Sequence, residues 1–132
     1  MQKIAASVNL VLSVLSDTFT IHKLSPDASI PKEIMKSNYC SVSKTENELS
    51  VVCSEVIEVQ SLQSSKGWKC IIVKGPLDFN LTGILAGISD ILAQANISIF
   101  AISTFDTDYI LVRTQDLPSA TTKLRKAGYK FE

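Results

Sequence analysis

The chain has 132 residues, and its 45% hydrophobic content is enough for a packed core, in one ordinary domain or in two very small ones. Thirteen basic and thirteen acidic residues cancel, which argues against nucleic acid and anionic membrane surfaces as partners and favours small neutral or zwitterionic ligands. No apolar run reaches the roughly eighteen residues that span a bilayer, and no signal-peptide pattern is present. We therefore expect a cytoplasmic protein.

The first third of the chain is predicted to begin with a β-hairpin. Residues 9–16 and 19–24 are apolar and rich in β-branched residues, and Ser16-Asp17-Thr18 between them supplies turn chemistry. Residues 30–35 follow with a proline near their start, which is typical of one or two turns of helix.

A second hairpin and the connection between two halves are predicted next. Residues 39–44 and 49–55 flank a polar segment, as the two strands of a hairpin do. Residues 56–67 lose this periodicity and end in a Ser-Ser-Lys-Gly sequence, which predicts the connection. Residues 69–74 then form an apolar strand that ends at Gly75-Pro76.

An amphipathic helix is predicted after that turn. Apolar residues recur at steps of three and four, with Asp78 or Asn80 as the candidate N-cap and Asn96 at the end. The stripe consists of Leu81, Ile84, Leu85, Ile88, Ile91, Leu92 and Ala95. Gly83 and Gly87 inside the helix each cost about 1 kcal/mol relative to alanine, so we expect close approach of a ligand at Gly83. Tight packing against a sheet explains Gly87 equally well.

The last part of the chain is predicted to be strand, turn, strand and helix. Residues 97–103 and 109–113 alternate as strands around the turn at residues 106–108. The final helix has Asp116 as its cap, Pro118 in its first turn and basic residues before Gly128. Residues 129–131 are available for a last short strand.

This order of elements predicts an α+β fold. The second half has the β-α-β-β-α order of ferredoxin-like domains, and residues 9–56 give a degenerate version with more strand than helix. We expect two packed ferredoxin-like domains with antiparallel sheets, residues 1–64 and 65–132, whose packing protects sheet edges.

A small-molecule site is predicted in the second half. The turn from Gly75 to Phe79 precedes the helix, and the loop from Ser103 to Asp108 joins the two following strands. Backbone N–H groups at a helix start favour an anion, whereas a carboxylate such as Asp108 favours a cation. A free amino acid carries both charges.

Two blocks of sequence resemble tandem ACT-domain proteins, in particular the subfamily of small bacterial proteins and CASTOR-type arginine sensors. The resemblance covers nearly all of the chain from about residue 48, and the first third matches only in plan. The first block is Glu48-Leu49-Ser50-Val51-Val52-Cys53 with Gly67-Trp68-Lys69-Cys70. The second contains Gly75-Pro76-Leu77-Asp78-Phe79, Gly83-Ile84-Leu85-Ala86, Ile97-Ser98 and Ser103 to Val112.

The resemblance implies a non-catalytic, allosteric regulatory protein, because ACT domains bind amino acids at interfaces between two domains. It implies a dimer, an amino acid ligand and a regulated protein of unknown identity. Carried over by position, Ser98 and Ile99 meet the ligand carboxylate. The loop with Thr104, Phe105 and Asp108 of a facing domain meets the cationic or polar end. Gly83 and the turn at Asp78 and Phe79 close the pocket. Leu81 stands where the arginine sensors have an acidic residue, so a less basic or apolar amino acid is at least as plausible as arginine.

Catalysis, metal binding and thiol chemistry have less support in the sequence than ligand binding. The single histidine, His22, lies in a strand-like segment without a nucleophile-base pattern, so no catalytic residue is predicted. Cys40, Cys53 and Cys70 lack the spacing of a metal site or disulfide framework and are expected to be small buried hydrophobes, with a reactive thiol as the alternative. No metal and no cofactor are predicted. A ligand-free oligomerisation or protein-interaction module remains the alternative function.

Overall fold

The computed structural model describes residues 10–78 and 80–132. Clustering of contacts divides them into a larger unit, residues 10–16 and 69–132, and a smaller unit, residues 17–68. The strands are β1 Val11–Leu24, β2 Ser41–Lys44, β3 Leu49–Ser54, β4 Gln63–Val73, β5 Ile99–Ser103, β6 Asp108–Arg113 and β7 Lys130–Phe131. The helices are α1 Ile84–Gln94 and α2 Leu117–Lys126, with 3₁₀ helices at Lys32–Lys36 and Thr114–Asp116.

The strands pair in the order β2-β3-β1-β4-β6-β5, and β7 pairs with β1. The pairs β2/β3 and β5/β6 are antiparallel, as predicted. Strand β1 pairs antiparallel with β3 and parallel with β7. The contiguous domains expected from the sequence, residues 1–64 and 65–132, stay a prediction. The compact units differ from them in placing residues 10–16 with the C-terminal residues.

The predicted first hairpin is wrong, because β1 is one strand of 14 residues that runs straight through Ser16-Asp17-Thr18. Sheet pairing overrides the local turn chemistry there. Phe19 is fully buried and lies opposite Ser54 of β3, and the carbonyl of Thr18 accepts a hydrogen bond from the N–H of Glu55 at 2.9 Å. A turn at this point would break that ladder.

The predicted connection at residues 56–67 is too long. Strand β4 already begins at Gln63, so its first residues include the Ser-Ser-Lys-Gly sequence that suggested a loop. Gly67 lies inside β4 with a φ of 79°, a value that glycine adopts without steric cost.

The larger unit has the β-α-β-β-α-β order predicted from the sequence, formed by β4, α1, β5, β6, α2 and β7. One apolar core holds both helices against the strands. Its fully buried members include Ile88 and Leu92 of α1, Leu124 of α2 and Ile71 of β4. These positions are the stripes that helical and strand periodicity indicated.

The start of α1 differs from the prediction. Gly83 is the N-cap residue, with a φ of 78°, and neither Asp78 nor Asn80 caps the helix. Only glycine adopts this left-handed conformation readily. At the other end, Asn96 has a φ of 60° and follows the last turn, as expected.

In the smaller unit, β2 and β3 form the predicted second hairpin, with Lys44 opposite Leu49. The short helix expected at residues 30–35 is a 3₁₀ helix at Lys32–Lys36 that follows Pro31. Its Ile34 is fully buried in a small core with Leu24, Leu49, Val51 and Cys53.

Candidate functional site

A cleft of about 240 Å³ in the larger unit lies between the turn after β4 and the loop that joins β5 to β6. We call it the acidic cleft. Its lining residues come from these two segments and the start of α1: Leu77, Asp78, Leu81, Ile84, Ser103, Thr104, Phe105, Asp106, Thr107 and Asp108.

Close backbone contact holds the two segments together. The N–H of Leu77 donates to the carbonyl of Asp106 at 2.7 Å. A Cβ added at Gly75 would lie 2.9 Å from that same carbonyl oxygen and 3.2 Å from Cβ of Thr107. A side chain at position 75 would therefore push the turn and the loop apart.

The loop between β5 and β6 is braced by its own threonines. The backbone N–H of Thr104 donates to the carbonyl of Thr107 at 2.8 Å, and the Thr104 hydroxyl donates to the same carbonyl at 3.1 Å. The Thr107 hydroxyl is buried and donates to the carbonyl of Val73 in β4. These bonds fix the loop before any ligand arrives, which lowers the entropy cost of binding.

Three carboxylates line the cleft, on Asp78, Asp106 and Asp108, and among the described residues no lysine, arginine or histidine does. Asp108 accepts a hydrogen bond from the Ser103 hydroxyl at 2.5 Å. Burial raises the pKa of the neighbouring Tyr109, and Cys70 and Asp106 raise it further. The excess of negative charge makes the cleft attractive to a cationic group.

The start of α1 adds the opposite polarity. The first bond within the helix joins the N–H of Gly87 to the carbonyl of Gly83, so the N–H groups of residues 84–86 have no acceptor inside the helix. No acidic residue occupies the first turn of α1. Because Ile84 lines the cleft, the partly positive helix end and the carboxylates border the same space.

The structure brings part of the predicted site together. Asp78, Thr104, Phe105 and Asp108 all line the acidic cleft, and Gly83 lies next to it as the N-cap of α1. Its left-handed φ explains the glycine without a ligand. Phe79 lies outside the described residues.

Ser98 and Ile99 are not part of this cleft. Ile99 begins β5 opposite Val112, whereas Ser103 ends the strand opposite Asp108. Four residues of strand separate the two positions, or about 13 Å at the usual rise. Within one chain, the two predicted groups therefore lie at opposite ends of β5.

Asp106 is the main lining residue that was left out of the predicted set. The sequence carried a signal for it, since Asp106 and Asp108 alternate around a turn, but its position beside Leu77 depends on a tertiary contact. Leu81 and Phe105, at 50% and 78% exposure, are apolar residues on the rim of the cleft.

The potential metal ligands and the thiols are the other chemical groups that bear on function. Within residues 10–78 and 80–132 no group of three or more His, Cys, Asp or Glu side chains could hold a metal ion. Cys53 and Cys70 are buried and Cys40 is partly buried, and none forms a disulfide. Burial raises the pKa of Cys70 to about 12. In the described part of the chain, no helix is long and apolar enough to cross a membrane.

Comparisons with known proteins identify the family. The model of the ACT domain matches residues 63–126, and the model of an N-terminal domain without a functional description matches residues 17–57. A solved protein from Agobacterium tumefaciens is 33% identical, with 93% of this chain and 92% of that chain covered and a TM-score of 0.86. The chain belongs to the ACT-domain family. No curated protein sequence matches it.

Two more distant structures share the fold. A protein of unknown function from Vibrio cholerae, described as a possible transport protein, is 12% identical with a TM-score of 0.73, over 96% of this chain and 95% of that one. The ligand-free regulatory subunit of aspartate kinase from Thermus thermophilus is 10% identical with a TM-score of 0.61, over 86% and 96% of the two chains.

Proposed function

We propose that this chain is a non-catalytic regulatory protein that binds a small molecule with a cationic group, in the first place an amino acid, in the acidic cleft. The observation that carries the proposal is the meeting of three carboxylates with the start of α1 in one cleft, whose described lining residues include no basic side chain. Membership of the ACT-domain family and the likeness in fold to a regulatory subunit of aspartate kinase support a regulatory, ligand-binding role.

The two charged groups of the bound amino acid would meet groups of opposite charge. Its ammonium group would lie near Asp106 and Asp108, where the negative charge is concentrated. Leu81 is apolar and exposed on the rim, so the cleft suits a compact ammonium with an apolar side chain at least as well as a guanidinium.

The site would be completed by a second copy of the chain. The ligand carboxylate would be held by Ser98 and Ile99, which lie at the other end of β5 from the acidic cleft. A facing copy could bring its own Ser98 and Ile99 to the cleft, and a homodimer would then hold the ligand between two ACT-type surfaces. The exposed Phe105 would be covered in that arrangement.

Regulation would follow from linkage. A ligand that bridges two copies stabilises the arrangement in which both halves of its site meet. The output would pass through the oligomeric state or through a separate regulated protein, and it would require neither a cofactor nor catalytic residues.

The test is thermal unfolding against each of the twenty amino acids. A ligand at a hundred times its dissociation constant stabilises the folded state by about 2.7 kcal/mol. We expect one or a few amino acids to raise the melting temperature of the wild type clearly more than that of Asp108→Ala. Asp27→Ala is the matched control, because Asp27 is an exposed aspartate of the smaller unit. The absence of any shift across the panel would contradict the proposal.

A ligand-free interaction module is the second candidate function, and the exposed rim residues Leu81 and Phe105 favour it. Sedimentation equilibrium without ligand separates the two. If the wild type is a stable dimer without ligand and Phe105→Ser is a monomer, while no amino acid binds, the rim is a protein-binding surface only.

A further inference from the structure

A second cleft, of about 470 Å³, lies in the smaller unit. We call it the histidine cleft. Its walls come from β1, the start of β4 and the segment between β3 and β4: Thr20, His22, Glu55, Ile57, Glu58, Val59, Gln60, Ser61, Ser64 and Lys66. An amino acid or a small organic acid would fit this volume.

His22 is the buried polar group of this cleft. Only 6% of the residue is exposed. Its Nδ1 lies 3.2 Å from the hydroxyl of Ser61, whereas Nε2 is buried and has no hydrogen-bond partner among the described residues. A buried polar atom without a partner costs folding free energy, and such atoms are rare in native proteins. The orphaned nitrogen therefore calls for a polar partner from outside the described residues.

Lys66 is a second donor on the same cleft. Its ammonium forms no ion pair or hydrogen bond with any residue in the described ranges 10–78 and 80–132. Burial lowers the pKa of His22, and the ammonium of Lys66 lowers it further, so the two groups lie close enough to interact electrostatically. A lowered pKa favours the neutral imidazole, and the contact between Nδ1 and the Ser61 hydroxyl fits either tautomer. In the tautomer in which Ser61 donates to Nδ1, the ring proton is on Nε2.

We propose that the histidine cleft binds the carboxylate of a small organic acid or amino acid, with the Nε2–H of His22 and the ammonium of Lys66 as donors. Such a carboxylate satisfies the orphaned nitrogen and pairs with the unpaired ammonium in one step. Glu55 and Glu58 on the same walls repel a ligand of higher negative charge and attract the ammonium of an amino acid. The cleft thus favours a monocarboxylate or a zwitterion over a dianion.

This site is additional to the acidic cleft and does not rest on it. All of its residues belong to the smaller unit, and the predicted ligand group is the anion rather than the cation. Failure of one proposal therefore leaves the other standing.

The single histidine permits a direct test, because its imidazole resonances in an NMR spectrum of the whole chain come from one residue. The full-length protein is titrated with sodium acetate, glycine and glycinamide at constant ionic strength. Acetate lacks the ammonium group and glycinamide lacks the carboxylate. We expect saturable shifts of the His22 resonances with glycine. Acetate should cause such shifts as well if a carboxylate without an ammonium group is enough for binding. Glycinamide should cause none.

Variants complete the test. Lys66→Met should weaken binding at least tenfold, whereas Lys23→Met, which removes an exposed lysine of the same unit, should bind as the wild type does. His22→Gln should lose binding as measured by calorimetry, and Lys66→Met carries the test where that variant does not fold. No saturable shift, equal shifts with glycinamide, or unchanged affinity in Lys66→Met would each overturn the proposal.

Discussion

The two clefts differ in how their polar groups are satisfied. In the acidic cleft, the loop is fixed by hydrogen bonds inside the larger unit, and the buried Thr107 hydroxyl has a partner in Val73. In the histidine cleft, the buried Nε2 of His22 has none among the described residues. The first site is therefore built without a ligand, whereas the second is left incomplete without one.

The clefts also differ in charge. In the part of the chain that the structure describes, three aspartates and no basic residue line the acidic cleft, while Lys66 and His22 lie beside Glu55 and Glu58 in the histidine cleft. The side chains of the acidic cleft can attract only the cationic end of a ligand. The anionic end needs the start of α1 or a second copy of the chain. The histidine cleft presents both charges from one unit.

Gly75→Ala is expected to have the largest effect on the stability of the protein and on the acidic cleft. The new Cβ would meet the Asp106 carbonyl at 2.9 Å, so the turn and the loop must separate, and overpacking of this kind costs about 1 to 3 kcal/mol. Urea denaturation should show the loss of stability, and ligand-dependent stabilisation at the acidic cleft should disappear. The NMR signal of His22 should keep its position.

The control for this change is Lys74→Ala at the adjacent position. It removes only the exposed ion pair with Glu132, which contributes at most about 1 kcal/mol. If Gly75→Ala were as stable as this control and still bound ligand, the turn would not support the cleft.

Thr107→Val should have the next largest effect. The substitution keeps the shape of the side chain but removes the buried donor to the Val73 carbonyl, at a cost of about 1 to 2 kcal/mol in the free energy of unfolding. The exposed Thr122→Val provides the matched control. Equal stability of the two variants in urea would show that the loop is held by its backbone alone.

The sequence predicted those parts of the molecule in which local signals and tertiary packing agree. The stripes of α1 and α2, the second hairpin and the β-α-β-β-α order of the larger unit follow from periodicity and turn chemistry. The first hairpin failed because Ser16-Asp17-Thr18 offers a turn locally, while β3, from far along the chain, pairs with the residues that follow directly, from Phe19 onwards. Such pairing is not visible in a local window.

The residues of the two clefts divide in the same way, into those that local signals group together and those that only tertiary contacts bring there. Thr104, Phe105 and Asp108 could be grouped because they share one turn, and Asp78 because the helix follows it. Asp106 needed the contact with Leu77. The sequence shows His22 only as a histidine in a strand-like segment without catalytic partners. Its cleft could not be predicted, since Ser61 and Lys66 approach it from more than thirty residues away in sequence.

The pH dependence of stability sharpens the description of the histidine cleft. Burial and Lys66 lower the pKa of His22 in the folded state below the value of 6.5 for the free side chain. Between these two values the unfolded chain binds more protons, so stability falls as the pH falls through 6.5 towards the folded-state pKa. The slope cannot exceed about 1.4 kcal/mol per pH unit for one proton.

Chemical denaturation from about pH 8 to about pH 5 should reveal this slope. The charged groups that line the cleft with His22 are Lys66, Glu55 and Glu58. His22→Gln should lose the slope while keeping the acid sensitivity that carboxylates confer at lower pH. A wild-type protein whose stability rises on acidification through this window would contradict the assignment of a neutral imidazole.

The smallest effect concerns the thiols and compares the two units without changing either. Cys40, in the smaller unit, is partly exposed, whereas burial raises the pKa of Cys53, with Cys40 adding to the shift. In the larger unit, Cys70 has a pKa of about 12, so only about one molecule in ten thousand carries its thiolate at pH 8.

An aromatic disulfide reagent should therefore modify Cys40 first, and peptide mass spectrometry should find Cys53 and Cys70 unmodified until denaturant is added. Cys40→Ser should remove the fast phase. Simultaneous modification of all three thiols in the native protein would mean that both cores open on the timescale of the reaction, and that neither cleft rests on a rigid wall.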